Sequence, residues 1–496
     1  MHALLALTAG LLLPFAFAPY GLWPVAIGSL AGLFALLRRV SPRTAAWRGW
    51  LYGIGAFAHG VSWIQVSIHK FGLPLYSFSV SMTALFVLFM ALYPALAAWI
   101  TRRLPGGEVV RALCIAPAVW TAVEILRGWA WSGFPWLLVG YSQTASPYAG
   151  WVPLAGAGGA TLAVAVSAGA LVVVLAELRA VRRGDGARLV TLVVGGLALL
   201  APAAAGQALG RFEWTSPDGA PLEVALVQGA VPQALKWRAD YRGPTLELYA
   251  RLSEAHWGRD VVIWPETALP AFPDEVAPFL RQFDARARLA GTALLVGMPS
   301  GDPRARYFNS VLLLGAGTGR YDKHHLVPFG EYLPFDAYLR PLLDFLSIPM
   351  SSFTAGGESQ APLVAGALRF GVSICYEDAY GGEVRKPLPE ANVLVNVSDD
   401  AWFGDSLAPH QHLEIAQVRA LETGRPLLRA TNTGISAIID HRGRVLKRSP
   451  QFAAFVLAGA AQARRGATPY VRYGNLPVFA GCTLLCVAAL LTLRRR

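Results

Sequence analysis

Three short segments carry side chains able to do covalent chemistry. "DVVIWPETALP" places Glu266 just past an apolar run. "GRYDKHHLVPFGEYLPF" holds Lys323 and Glu331. "RFGVSICYEDAY" sets Cys375 at the end of a second apolar run, followed at once by Glu377 and Asp378. A thiol is the strongest common protein nucleophile but needs a base. A carboxylate shielded by Trp264 and Pro265 can have its pKa raised into a base's working range. A lysine held nearby as a cation favours the thiolate and, with backbone N–H groups, stabilises a tetrahedral oxyanion. Glu266, Lys323 and Cys375 thus read as base, electrophilic stabiliser and nucleophile. Taken singly, each has a plainer reading: a small core thiol, a solvated acid, a solvated amine. Their shared placement at strand ends sets them apart. The two acids after Cys375 look hostile to a thiolate, but consecutive side chains diverge past a strand end.

The elements that must position them are short strands alternating with helices. Strands are predicted at Leu222–Gln228, Asp260–Trp264, Ala293–Met298, Ser310–Leu314, Ala367–Ser373, Val393–Val397, Leu427–Ala430 and Ser436–Ile439. Helices are predicted at Thr245–Ala255, Val276–Leu289 and His412–Thr423. This alternation predicts an α/β domain, sheets covered by helices. Open sheets place ligand sites at strand ends and in the loops beyond them.

The rest of the chain is different in character. Of its 496 residues 54% are hydrophobic and only 15% charged, the balance of an integral membrane protein. Apolar runs of spanning length, roughly 17–25 residues, fall at 3–19, 21–38, 50–68, 78–100, 111–128, 159–178 and 188–207, with a last one at Leu476–Leu493. The first lacks a basic n-region, so it reads as a retained helix and not a cleaved signal. The net charge of +12 sits in alternate short loops: Arg38, Arg39, Arg43 and Arg48; Arg102, Arg103 and Arg111; Arg179, Arg182, Arg183 and Arg188. The positive-inside rule puts those loops and both termini in the cytoplasm and the segment 215–465 outside it. Orientation signals account for the basic charge, and no motif points to nucleic acid. Of the four cysteines, only Cys375 lies outside an apolar run, which excludes a disulfide framework and zinc-ligand spacing.

Four motifs, "WPETALP", "YDKHHLVPFGEYLP", "FGVSICYED" and "NVSDDAWFGDSLAPHQH", resemble those of the apolipoprotein N-acyltransferases of bacterial inner membranes. Their extracytoplasmic part resembles the nitrilase, or carbon–nitrogen hydrolase, superfamily. The resemblance implies an αββα sandwich on a multi-pass helical membrane domain of eight spans. The expected division is 1–210 with seven transmembrane helices, 215–468 as a periplasmic nitrilase-like catalytic domain, and 474–496 as the last transmembrane helix. It implies the triad Glu266, Lys323 and Cys375 on the positions chosen above. Trp237, in "VQGAVPQALKW", resembles a tryptophan near the acyl or head-group site. Glu331 resembles a second essential acid that orients the lysine or relays protons. Tyr376 and Glu377 match the residues after the nucleophile, and Asn309 and the loop Asp399 to His412 also match, with roles less clear. His324 and His325 invite a cysteine–histidine pairing, but the family pattern fixes the lysine before them.

The activity so implied is transfer of a fatty acyl chain from a phospholipid to the α-amino group of an S-diacylglyceryl cysteine, through a thioester. The implied partners are the phospholipid donor, the apolipoprotein acceptor and the bilayer, with a monomeric enzyme and no metal or organic cofactor. A membrane-tethered amidase or nitrilase is the alternative. In the membrane part, Glu124 and Arg127 at i, i+3 suggest a buried pair or an interfacial one. "RGWAWSGFPW" adds Trp129, Trp131 and Trp136 as an interfacial belt. The apolar stretch "FDAYLRPLLDFL", 335–346, reads as a lid or a core helix.

Overall fold

A computed structural model describes residues 1–72, 75–183, 185–302, 304–336, 338 and 352–494. The chain forms two units. One comprises Met1–Gln65, Leu75–Glu213 and Arg472–Arg496; the other comprises Val66–Pro74 and Trp214–Val471. Most of the stretch 335–346 lies outside the described residues.

The first unit is helical. Among the described residues, four helices are long and apolar enough to cross a membrane: Tyr76–Arg103, Glu108–Arg127, Pro147–Val181 and Leu189–Leu209. His2–Ala16, Pro24–Leu36 and Leu476–Thr492 are shorter apolar helices. The apolar run predicted at 50–68 is displaced: its helix spans Pro42–Gly60, because Ser41 caps it by accepting from Thr44 N at 3.2 Å and Pro42 occupies the first turn. On that helix Gly49 and Gly53 let a neighbour approach closely. A Cβ would stand 2.5 Å from Pro94 O at Gly49 and 2.6 Å from Ala91 Cα at Gly53, the small-residue packing by which helices associate in lipid.

The structure makes one expectation for this unit specific and corrects another. Glu124 and Arg127 are buried, and each serves the irregular backbone after their helix. Arg127 donates to the carbonyls of Phe134 at 2.8 Å and Trp136 at 2.5 Å. Glu124 accepts from Val139 N at 3.3 Å and Thr161 Oγ1 at 3.0 Å. Non-helical backbone among apolar helices persists only where such partners exist. Trp129 and Trp131 are exposed as a belt requires, but Trp136 is buried, its ring 5.2 Å from that of Trp63.

The second unit contains two six-stranded sheets. The first runs β13 (Phe455–Ala461), β2 (Leu222–Gln228), β3 (Val261–Ile263), β4 (Ala293–Gly301), β5 (Tyr307–Gly315), β6 (Gly319–Asp322). The second runs β12 (Val445–Arg448), β11 (Ala437–Ile439), β10 (Leu427–Thr431), β9 (Val393–Ser398), β8 (Leu368–Ile374), β7 (Leu363–Ala365). A small pair, β1 (Thr215–Pro217) with β14 (Arg464–Gly466), ties the two ends of the unit together.

Side-chain alternation builds the layers. Val224 and Leu226 of β2 join Phe370, Val372 and Ile374 of β8 in one buried cluster between the sheets. Ala225 and Val227 face the other way, packing with Tyr249 and Phe283 of helices Ala239–Ser253 and Ala277–Leu289. Leu394 of β9 and Leu427 of β10 likewise pack on Leu413, Ala416 and Ala420 of helix Ala408–Thr423. The result is the expected αββα sandwich. β2–β3–β4 and β8–β9–β10 are parallel, and strands buried on both faces read as the continuous apolar runs seen in the sequence. β6 pairs antiparallel to β5, itself antiparallel to β4, so β6 leads out at the same edge as β4.

Candidate active site

That edge gathers the reactive side chains. Glu266 lies three residues past β3, and the backbone is kept in line there by Trp264 N donating to Leu295 O at 2.8 Å. Trp264 itself is fully buried, its indole N–H bonded to Ser253 Oγ at 2.9 Å. The Glu266 carboxylate is 8% exposed. Its two oxygens accept from Asn309 Nδ2 at 2.7 Å and from the backbone N–H of Asp399 at 2.9 Å. Burial pushes its pKa up; the Lys323 charge opposes this, while the Glu331 and Asp399 charges add to it.

Lys323 follows β6 directly, its backbone N–H donating to Asn309 O at 2.8 Å. Only 1% exposed, its ammonium stands 2.8 Å from Glu331 Oε2 and 3.6 Å from Glu266 Oε1. Burial disfavours the cation, but the two carboxylates outweigh it and hold the pKa above the usual lysine range. Glu331 is itself fixed by Val327 N at 2.8 Å and Asn309 Nδ2 at 3.1 Å. Asn309, on β5, thus bonds both acids through one amide.

Cys375 directly follows β8 and begins a tight turn, Cys375–Ala379, with φ of +53°. A non-glycine residue in that region is held there against a local cost of about 1–3 kcal/mol, a strain found at functional sites. The thiol is buried. Its pKa is raised by burial first and by the Glu266 charge next, with Lys323 pulling the other way. The resting group is therefore the thiol, and a base must take its proton during reaction.

Glu377 does not touch this chemistry directly. Its oxygens accept from Ile374 N at 2.7 Å, His324 N at 2.7 Å, His325 N at 3.0 Å and Tyr321 Oη at 3.0 Å. It staples the loop after β6 to the turn after β8, setting Lys323 against Cys375. Asp378 turns away, toward His412 and Arg429. His324 and His325 lend backbone N–H groups here, and the His325 ring stacks on Tyr380 at 3.7 Å and lies 6.2 Å from Tyr376. Trp237 is 53% exposed at the end of a short helix, Gln233–Lys236.

Lys236 escaped sequence reasoning, and Asp399 entered it only as the start of a matching loop with no role attached. Lys236 is buried, its ammonium 2.5 Å from Asp399 Oδ2 and 3.1 Å from the Glu266 carbonyl. Asp399 in turn presents its N–H to Glu266. The strand-end rule that selected Glu266 and Cys375 also marks Asp399, which follows β9; Lys236, the last residue of the short helix Gln233–Lys236, carries no such signal.

Comparison with known proteins shows the family. Residues 9–170 match the apolipoprotein N-acyltransferase N-terminal domain and residues 223–470 the carbon–nitrogen hydrolase domain. An apolipoprotein N-acyltransferase of Methylococcus capsulatus is 46% identical over 97% of this chain and 94% of its own. The chain belongs to the apolipoprotein N-acyltransferase family. A family member from Vibrio cholerae is 41% identical over 97% of this chain and 95% of its own. A carbon–nitrogen hydrolase from Helicobacter pylori aligns over 49% of this chain and 89% of that one, at 16% identity and a TM-score of 0.37. A full-length match to acyltransferases of this family weighs against the tethered amidase alternative.

Proposed function

We propose that Glu266, Lys323 and Cys375 carry out acyl transfer from a membrane phospholipid to the α-amino group of the S-diacylglyceryl cysteine of an apolipoprotein. One observation carries the assignment of roles: a buried thiol on a left-handed turn shares its site with a buried carboxylate and a buried ammonium. Glu266 accepts the Cys375 proton as the sulfur attacks the ester carbonyl. Lys323 and backbone N–H groups stabilise the oxyanion. The lysophospholipid leaves with the proton from Glu266, giving a thioester. The lipoprotein amine then attacks, Glu266 takes its proton, and the thiolate departs. A thioester is more reactive toward amines than the parent ester, so two easier steps replace one hard one.

Glu331 and Asn309 orient Lys323 and Glu266, Glu377 holds the two loops in register, and exposed Trp237 and half-buried Tyr376 contact substrate. The chain crosses the inner membrane eight times, with residues 1–210 supplying seven helices and 474–496 the eighth. Residues 215–468 lie in the periplasm and both termini in the cytoplasm. The alternation of Arg-rich loops supports this orientation. The enzyme acts as a monomer.

The test is intact-protein mass spectrometry after incubation with phospholipid vesicles. An acyl-sized adduct is expected, mapping to Cys375 and absent from Cys375→Ala. Normal lipoprotein N-acylation by Cys375→Ala would overturn the reading.

A further inference from the structure

Behind Cys375, away from Glu266 and Lys323, four charged side chains are sealed from solvent. Asp378 on the cysteine turn, Asp400 on the turn after β9, His412 on helix Ala408–Thr423 and Arg429 on β10 are each no more than 1% exposed. Their contacts close a ring. His412 Nδ1 lies 2.9 Å from Asp400 Oδ1 and Nε2 lies 2.9 Å from Asp378 Oδ1. Arg429 donates to the second oxygen of each acid, at 3.1 Å to Asp378 Oδ2 and 3.2 Å to Asp400 Oδ2. The second contact of His412 Nε2 is the carbonyl of Cys375 at 3.3 Å. That same carbonyl accepts from Asn396 Nδ2 at 3.2 Å, and Asn396 Oδ1 in turn accepts from Arg429 at 2.6 Å. A Cβ at Gly434 would come within 2.1 Å of Asp400 Oδ2, so the ring has no slack on that side.

The partners decide the protonation state. Both ring nitrogens of His412 face carboxylate or carbonyl oxygens, which only accept. Each nitrogen must then carry a proton, and the imidazole is a cation. With His412 charged, two anions meet two cations and the buried group is neutral, the one condition under which such charges are cheap to bury. Burial and the Arg429 charge work against the imidazolium, but Asp378 and Asp400 outweigh them and push its pKa up to about 9.

We infer that His412 is a positioning residue for the nucleophile: as an imidazolium it closes a neutral four-charge ring that fixes the Cys375 carbonyl, and so the left-handed turn presenting the thiol. A backbone carbonyl held from two sides by His412 and Asn396 cannot rotate without breaking the ring. The inference rests on Cys375 being the nucleophile, and it predicts what happens when the ring loses charge balance.

The experiment uses the full chain in detergent micelles or nanodiscs. With ¹⁵N-histidine labelling, one of the nine imidazoles stays doubly protonated at about pH 8, well above the ordinary histidine value of about 6.5. If all nine are neutral there, the ring as drawn does not exist. In parallel, single-turnover thioester formation from phospholipid vesicles is followed in variants. His412→Gln retains one donor and leaves a net anion; its acylation rate should fall by about 10²-fold, with donor KM unchanged. Asp378→Asn in the same chain restores neutrality, so the double variant should acylate faster than His412→Gln alone. A double variant equal to or slower than the single one overturns the inference, since loss of packing alone would only accumulate. A wild-type protein that forms no thioester defeats the nucleophile assignment instead, while its imidazolium signal still reports on the ring.

Discussion

Two buried charge clusters flank Cys375, and they differ in balance. In front, Glu266 and Glu331 share one cation, Lys323, which sits nearer Glu331. Behind, Asp378 and Asp400 are matched by Arg429 and His412. The front cluster carries an excess carboxylate whose pKa burial has raised. It is therefore ready to take a proton, and moving that proton from sulfur to Glu266 leaves the net charge of the pocket unchanged. The rear cluster gains nothing by moving a proton, because any transfer would break a matched pair. Imbalance suits the groups that react; balance suits those that hold geometry. Changes in front should then cost rate with little loss of stability, and changes behind should cost stability as well as rate.

The sharpest break in that contrast is Glu266→Gln. Losing a general base costs roughly 10²–10⁴-fold in rate, read as the single-turnover rate of thioester formation. Stability should change little, since the substitution removes an excess buried charge but leaves one of the donors from Asn309 and the Asp399 N–H without an acceptor. A large loss of thermal stability with acylation intact would reverse the roles of the two clusters.

Next in size is Asp400→Asn. Removing one partner of a buried ion network leaves an uncompensated charge and costs about 3–5 kcal/mol, measured as a lowered unfolding midpoint of the purified protein. Equal stability of Asp400→Asn and wild type would show that the rear ring is not what its distances imply. Glu377→Gln sits between the clusters and should cost less, about 1–3 kcal/mol. An amide offers one acceptor oxygen where the carboxylate accepts from four donors. Its secondary effect, slower acylation through a loosened Lys323 loop, should be smaller than that of Glu266→Gln.

The roles in the front cluster were legible in the sequence; the rear cluster was visible only in part, as a matching loop without a role. Glu266, Lys323 and Cys375 stand at the ends of apolar runs, and a reactive residue type at a strand end is a local signal. The runs themselves set the strands: Leu222–Gln228 forms as predicted, and Val393–Val397 gains only Ser398. β13, "FVLAGAA", was missed because alanine and glycine have weak strand preference; its seven residues are held by pairing along β2. β6, β7 and β12 are strands of three or four residues at or near a sheet edge, too short to show alternation. Arg429 lies inside a strand, where sequence marks it as an ordinary polar residue, and Asp400 and His412 lie in a matching stretch that carried no role. Only the fold brings four segments together around the Cys375 carbonyl. Asp378 is a partial exception: divergence of side chains past a strand end already pointed it away from the thiol, but only the fold shows that it turns toward His412 and Arg429.

The smallest predicted effect is a shift in pH dependence. Glu266 must be ionised to act as a base, so the acylation rate falls as pH falls through its pKa. That pKa is raised by burial and, among the nearby charges, by Glu331, while Lys323 lowers it. Glu331→Gln removes the like charge and also releases Lys323 from its closest partner at 2.8 Å, leaving the ammonium free to favour ionised Glu266. Both changes act in one direction, so the acid limb of the single-turnover pH profile should move to lower pH. The plateau rate should drop as well, because Lys323 loses the group that orients it for the oxyanion. An acid limb that stays in place, or moves to higher pH, would mean that Glu331 does not act on Glu266 through charge. The front cluster would then be two independent pairs and not one unbalanced set.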